Sequence, residues 1–321
     1  MERTEVSSFR FVAAFIGGLI VQASTISLVK YFGNGNDAVG WQWAMACIAA
    51  LAAVLFFITF ATTKERVQPP KEQMSAFKSD LRDLFTNKPW LLIAGATVFQ
   101  LTYIVMRGSS IAYYFKYYVG EQQFNFLGNS FALSQETFTS SFLLIGSIAT
   151  IIGVVLTKWI SKKLDKKNTY AGFLIASAAL NAAFYLVRPQ DVLLIYGLNV
   201  FVSFFFGPVS VLQWAMYTDT ADYSEWKNHR RATALLMAAS LFALKLGLAL
   251  GGSLVGWILA NYGFAPNQTQ TPEAMTGIVL LLSVFPAVFG IAGGLLMLPY
   301  PLTNKKMVEI EEELTARRGA A

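Results

Sequence analysis

The chain alternates long apolar runs with short polar connections. Runs of about 20 residues suffice to cross a bilayer, and they recur at residues 9–31, 40–63, 89–118, 138–157, 169–187, 192–217, 233–260 and 275–299. This pattern predicts eight transmembrane helices. One connection, residues 64–88, is longer and more polar than the rest. It carries Pro69 and Pro70 and an amphipathic piece of mixed charge, Phe77 to Phe85, suited to a membrane surface. It separates two spans from six. Two connections on the opposite side, 119–137 and 261–274, are rich in Asn, Gln, Ser and Thr and contain no Lys or Arg. Within the spans, Gly207-Pro208 and Pro286 predict kinks, because proline frees a backbone carbonyl. Gly17-Gly18, Gly247 with Gly251, and Gly293-Gly294 predict close helix approach.

Composition agrees: of 321 residues 55% are hydrophobic and only 14% charged, against about 25% charged in soluble proteins. The chain is expected to be all-α and polytopic. Basic residues set its orientation, because Lys and Arg near span ends are retained on the cytoplasmic side. Of the 25 basic residues, 19 fall in one alternate set of connections and termini, at residues 3, 64–88, 158–167, 227–231 and 305–318. Both termini are therefore expected to be cytoplasmic. The net charge of +6 is this same asymmetry, so no nucleic-acid partner is called for. Cys47, the sole cysteine, lies in a span and His229, the sole histidine, lies in a connection, which offers neither a metal site nor a catalytic centre. An enzyme is not expected.

The densest charge lies in Asp219-Thr-Ala-Asp222-Tyr-Ser-Glu225-Trp-Lys227-Asn-His-Arg230-Arg231. Asp219 and Asp222 stand three apart, on one helix face. If the helix ended near Tyr217 they would sit in its last turn, where the helix dipole disfavours carboxylates. Lys227, Arg230 and Arg231 are the local counter-charges. Spacing alone leaves two readings open, a neutralised wet loop or a charge lock that opens and closes.

Three ionisable residues remain inside the spans: Arg10, Arg107 and Lys245. Lys245 lies about twelve residues into its span, roughly 18 Å deep, where an unpaired Lys costs about 2.5–3.5 kcal/mol. It calls for a watery cavity or a partner. Arg107 lies in the outer half and Arg10 near the inner end of their spans, so both are also within reach of an interface. All 19 acidic residues lie in connections or at span ends, and no carboxylate cage for a coupling cation is visible.

The Asp219 to Arg231 segment resembles the signature of the glycoside-pentoside-hexuronide:cation symporters, the melibiose permease-like branch of the major facilitator superfamily. Glu2-Arg-Thr-Glu-Val-Ser-Ser-Phe-Arg10 looks like the loop before that family's fifth helix, and Arg107-Gly-Ser-Ser with Tyr113-Tyr-Phe-Lys-Tyr-Tyr-Val-Gly120 looks like its seventh. The resemblance implies a major facilitator-type bundle of twelve helices, of which this chain resembles five to twelve and lacks the first four. Residues 1–63 are then the last two helices of an N-terminal bundle, 64–88 a cytoplasmic linker, 89–300 a six-helix C-terminal bundle and 301–321 a cytoplasmic tail. It further implies sugar contact by Arg10 and Lys245, and a cytoplasmic gate of Asp219, Asp222, Arg231 and Arg3. Gln213 and Arg107, polar groups within the spans, are expected to join the substrate contacts. Asn228-His229 and Ser210 depart from the family pattern.

The expected function is secondary transport of a sugar or glycoside across a bacterial inner membrane, coupled to Na+ or H+, with no other cofactor. An N-terminally truncated carrier is expected, with a partner chain or upstream segment supplying four helices. The alternative is a truncated or structural membrane protein that moves no solute.

Overall fold

A computed structural model describes residues 2–63, 77–126, 129–228 and 233–319. Two compact units divide the chain, Ala13–Ser75 and Met1–Val12 with Ala76–Ala321. Eight helices among the described residues are long and apolar enough to cross a membrane, matching the eight predicted runs.

The smaller unit is a helical hairpin. Helix α1 (Glu2–Gly33) extends through the segment expected to be a loop, and α2 spans Asp37–Thr62. The turn follows from local chemistry: Asn34 and Gly35 take positive φ, at 42° and 96°. Asn36 then caps α2 by accepting from the Ala38 and Val39 amides. Phe56, Phe57 and Phe60 are exposed on α2, as suits an apolar surrounding and not water.

The larger unit opens with α3 (Phe77–Thr86) and α4 (Lys88–Tyr113), the latter continuing as one π-helical turn over Tyr114–Val119. Asn87 caps α4, with Pro89 in its first turn, where the missing amide hydrogen costs nothing. Then come α5 (Gln135–Leu164), α6 (Lys166–Ala182) with a 3-10 turn at Ala183–Leu186, α7 (Val192–Asn228) and α8 (Thr233–Asn261). The last apolar run is split into α9 (Pro272–Leu282) and α10 (Val284–Leu296). Helix α4 packs on α8 and α10, α5 on α7, and α6 on both α7 and α10.

Glycines permit the closest approaches. A Cβ on Gly153 of α5 would stand 2.3 Å from the Phe204 carbonyl oxygen of α7, and one on Gly207 would stand 2.5 Å from that of Thr150. Phe204 is the residue four before Pro208, whose carbonyl proline leaves without its helical donor. Gly247 and Gly251 of α8 lie equally close to Val98 and Val105 of α4.

Four further features depart from the sequence reading. A hairpin of β1 (Gln122–Phe126) and β2 (Asn129–Leu133) occupies the first polar outer connection, pairing Gln122 with Leu133 and Phe126 with Asn129. The segment expected to be a linker holds α3, which docks on the bundle through Leu84 and Leu81 instead of lying free on a surface. Helix α7 does not end near Tyr217 but runs to Asn228, about 55 Å against a hydrocarbon core of about 30 Å, so its charged end projects beyond the apolar stretch. The tail is α11 (Asn304–Gly319), whose Met307, Ile310 and Leu314 join the core beside Leu302 and Tyr300.

Candidate functional site

A cleft of about 120 Å³ opens between α4, α5 and α7, lined among others by Arg107, Phe142, Gly146, Thr150, Asn199 and Ser203. Arg107 is its only charged residue, and it is buried, at 6% exposure. It does not snorkel to an interface. Its Nε donates to Asn181 Oδ1 at 2.8 Å and its Nη2 to Asn199 Oδ1 at 2.7 Å, while the guanidinium lies 5.6 Å from the centre of the Phe142 ring. No carboxylate pairs with it among the described residues.

The two asparagines are held from behind. Asn199 Nδ2 donates to the Phe142 carbonyl at 2.7 Å. Asn181 Nδ2 donates to the carbonyls of Leu282 and Ser283, at 2.7 and 3.0 Å. These carbonyls are available because Pro286 cannot bond back to Leu282 and the helix breaks at Ser283. The proline kink thus fixes Asn181, and Asn181 fixes Arg107. Gly146 completes the wall: a Cβ there would lie 3.0 Å from Ser203 Oγ and 3.1 Å from Asn199 Nδ2.

The other expected binding residues do not line this cleft. Gln213 is buried in α7, at 3% exposure, with Nε2 unpartnered among the described residues. Lys245 is exposed, without a hydrogen bond or ion pair among the described residues. It lies two residues from both Ala243 and Gly247 on α8, hence about 200° around the helix from the buried stripe that meets α4. The side chain of Arg10 lies outside the described residues. Sequence spacing does not single out Asn181 and Asn199, although two asparagines within apolar runs are a usable signal.

At the charged end of α7 Asp219 takes a partner from another helix. Asp219, 8% exposed, pairs with Lys166 at the start of α6, Nζ to Oδ2 at 2.6 Å, and not with Lys227, which lies over the Tyr223 ring. Because α7 continues past Asp219, the carboxylate stands nine residues before the helix end, where the end of the helix dipole has little hold on it. Asp222 is half-buried. Arg231 and the Arg3 side chain lie outside the described residues. Asp165, with φ of 72°, caps α6 through the Lys167 amide and accepts from the Asn304 amide at the start of α11. Trp226 Nε1 donates to Glu313 at 2.7 Å, and Arg317 Nη1 to the Trp226 carbonyl at 3.0 Å. Burial, with the nearby Asp219 charge, holds the Tyr300 hydroxyl well above the usual phenol range.

Comparison with known proteins follows the same lines. The family described as MFS/sugar transport protein matches residues 1–304. The chain is similar to the isoprimeverose transporter of Lactiplantibacillus pentosus, 30% identical over 99% of this chain and 65% of that protein. It is also similar to the inner membrane symporter YicJ of Escherichia coli K12, 29% identical over 98% of this chain and 65% of that protein. The glucuronide carrier protein homolog of the same organism is 28% identical over 84% of this chain and 56% of its own length. The chain thus spans about 65% of the length of the first two relatives. The family resemblance read from Asp219 to Arg231 and the two further stretches is borne out. With eight candidate spans and this match over residues 1–304, the chain is an integral multi-pass membrane protein that belongs to the MFS/sugar transport protein family.

Proposed function

We propose that this chain takes part in secondary active transport of a sugar or glycoside by alternating access, driven by Na+ or H+, in a bacterial inner membrane with both termini cytoplasmic. The observation that carries this reading is the family match running through every candidate span. Three relatives bear the names of a symporter, a transporter and a carrier homolog, which supports carriage over catalysis. The cleft at Arg107 supplies hydroxyl and amide groups from Thr150, Ser203 and Asn199 for a polar solute. Arg10, Gln213 and Lys245 remain proposed contacts, and Lys245 on the open face of α8 is free to meet solute or water.

The Asp219–Lys166 pair and its ties to α11 form the proposed inner gate, with Asp222, Arg231 and Arg3 as further members. Alternation then consists of solute and cation favouring one arrangement of the helices over another. Nothing in the comparisons supports a separate polypeptide supplying four helices.

Proteoliposomes containing the chain test the proposal. Labelled glycosides are expected to accumulate under an inward Na+ or H+ gradient and to be released when an ionophore collapses it. Absence of both gradient-driven uptake and sugar counterflow, relative to empty liposomes, would overturn it.

A further inference from the structure

Lysines crowd the turn between α5 and α6, at Lys158, Lys162, Lys163, Lys166 and Lys167, and Lys305 and Lys306 open α11. Retention of basic residues on one side of a membrane accounts for their number. It does not account for where the fold brings them. The carboxylate of Asp165 gathers them: Oδ1 accepts from the Lys167 amide at 3.2 Å and Oδ2 from the Asn304 amide at 2.9 Å. Asn304 Nδ2 also donates to the Ser161 carbonyl at 3.1 Å. The first turns of α6 and α11 are thereby held together at the end of α5.

The nearby acids are engaged. Asp165 faces the two amides, Asp219 is bonded to Lys166 and Glu309 to Lys306. Lys162, Lys163, Lys167 and Lys305 have no ion pair among the described residues. Lys162, Lys163 and Lys305 are exposed and Lys167 is half-buried. Four unbalanced ammonium groups carried on backbone that is fixed together attract an anion. The surface leading from this patch into the membrane is apolar. Ile148, Ile152, Val155 and Trp159 are exposed on α5, at spacings of four, three and four residues that place them on one helix face. Lys162 and Lys163 follow Trp159 by three and four residues, on that same face. Toward its Asp165 end this face therefore reads apolar, aromatic, basic, which is the order of acyl chain, interface and headgroup in a lipid leaflet. It is turned from Gly146 and Thr150, which line the Arg107 cleft.

We infer that this face of α5, with the starts of α6 and α11, is a binding site for an anionic phospholipid. The phosphate lies among Lys162, Lys163, Lys167 and Lys305, and an acyl chain lies along Ile148, Ile152 and Val155. A zwitterionic lipid offers the same chain, but its own cation offsets the phosphate and the lysines gain less. A free phosphate ester offers the charge and leaves Trp159 and the apolar stripe uncovered. The site is separate from the solute cleft, so lipid binding and solute carriage are independent properties of the chain.

The test equilibrates the purified full chain, in detergent micelles, with equimolar traces of radiolabelled dioleoyl phosphatidylglycerol and dioleoyl phosphatidylcholine, recaptures the protein and counts the lipid retained. Phosphatidylglycerol is expected in about tenfold excess, as a few lysines at an anionic surface provide, and the excess should shrink in high salt. Lys162→Gln, Lys163→Gln, Lys167→Gln and Lys305→Gln made together are expected to abolish it. Lys64→Gln, Arg66→Gln, Lys71→Gln and Lys88→Gln made together remove the same charge from another connection and should leave it intact. Equal retention of the two lipids by the unaltered chain would overturn the inference, even where a variant fails to fold. An excess that survives the first set, or falls equally in the second, would overturn the site. Displacement of the lipid by millimolar glycerol 1-phosphate would assign the patch to free phosphate esters and overturn the lipid as its occupant.

Discussion

At the scale of single residues, the side chains that position the site are the ones sequence spacing conceals. Arg107 stands out as a charge in an apolar run, yet its partners Asn181 and Asn199 lie 74 and 92 residues away. The Asp219 cluster shows the same limit: the nearest cations in sequence, at 227–231, attract attention, whereas Lys166 pairs with Asp219 across 53 residues. This pair carries a prediction. Lys166→Met leaves a buried carboxylate uncompensated and is expected to lower the melting temperature in detergent. The loss should fall below the about 3–5 kcal/mol of a fully buried pair, because the Lys166 side chain is 29% exposed. Lys166→Met combined with Asp219→Asn should recover part of it in a double-mutant cycle. Equal melting of Lys166→Met and the unaltered chain would show that the pair contributes nothing.

At the scale of elements, hydrophobic run length located every span but misplaced several ends. Helix α7 outlasts its apolar stretch because α11 and the Asn87 amide, which donates to the Thr220 carbonyl, give its polar end something to pack on. Helix α11 is legible only in hindsight: its mean character is polar, and Met307, Ile310 and Leu314 form a stripe that matters once a bundle lies beneath it. The crossing of α5 and α7 depends on Gly153 and Gly207, and the nearest atoms to a Cβ at Gly153 are the Phe204 carbonyl oxygen and the Pro208 ring. The Phe204 oxygen is backbone and cannot rotate aside. Gly153→Val is therefore expected to destabilise by about 1–3 kcal/mol, as overpacking does, read as earlier thermal unfolding. Gly172→Val on α6, where nothing lies within 4 Å of the added Cβ, is the control and should be nearly neutral. Equal losses at the two positions would refute the close-crossing argument.

At the scale of the whole molecule, the distribution of Lys and Arg predicts which ends of the helices face the cytoplasm. With Cys47→Ala as background, Ser134→Cys, before α5, is expected to react with an impermeant maleimide in intact cells. Asn304→Cys, at the start of α11, should react only after permeabilisation. The reverse pattern would overturn the positive-inside orientation. The sequence by itself determined that this chain is a multi-pass helical membrane protein with the family resemblance that the comparisons bear out. Burial in lipid forces long apolar runs, and those are local and countable. Tertiary structure alone decided which polar groups meet inside the bundle. A proline break, two asparagines and an arginine from α4, α6, α7 and the α9–α10 junction converge only when these helices pack together, and no one-dimensional period records that convergence.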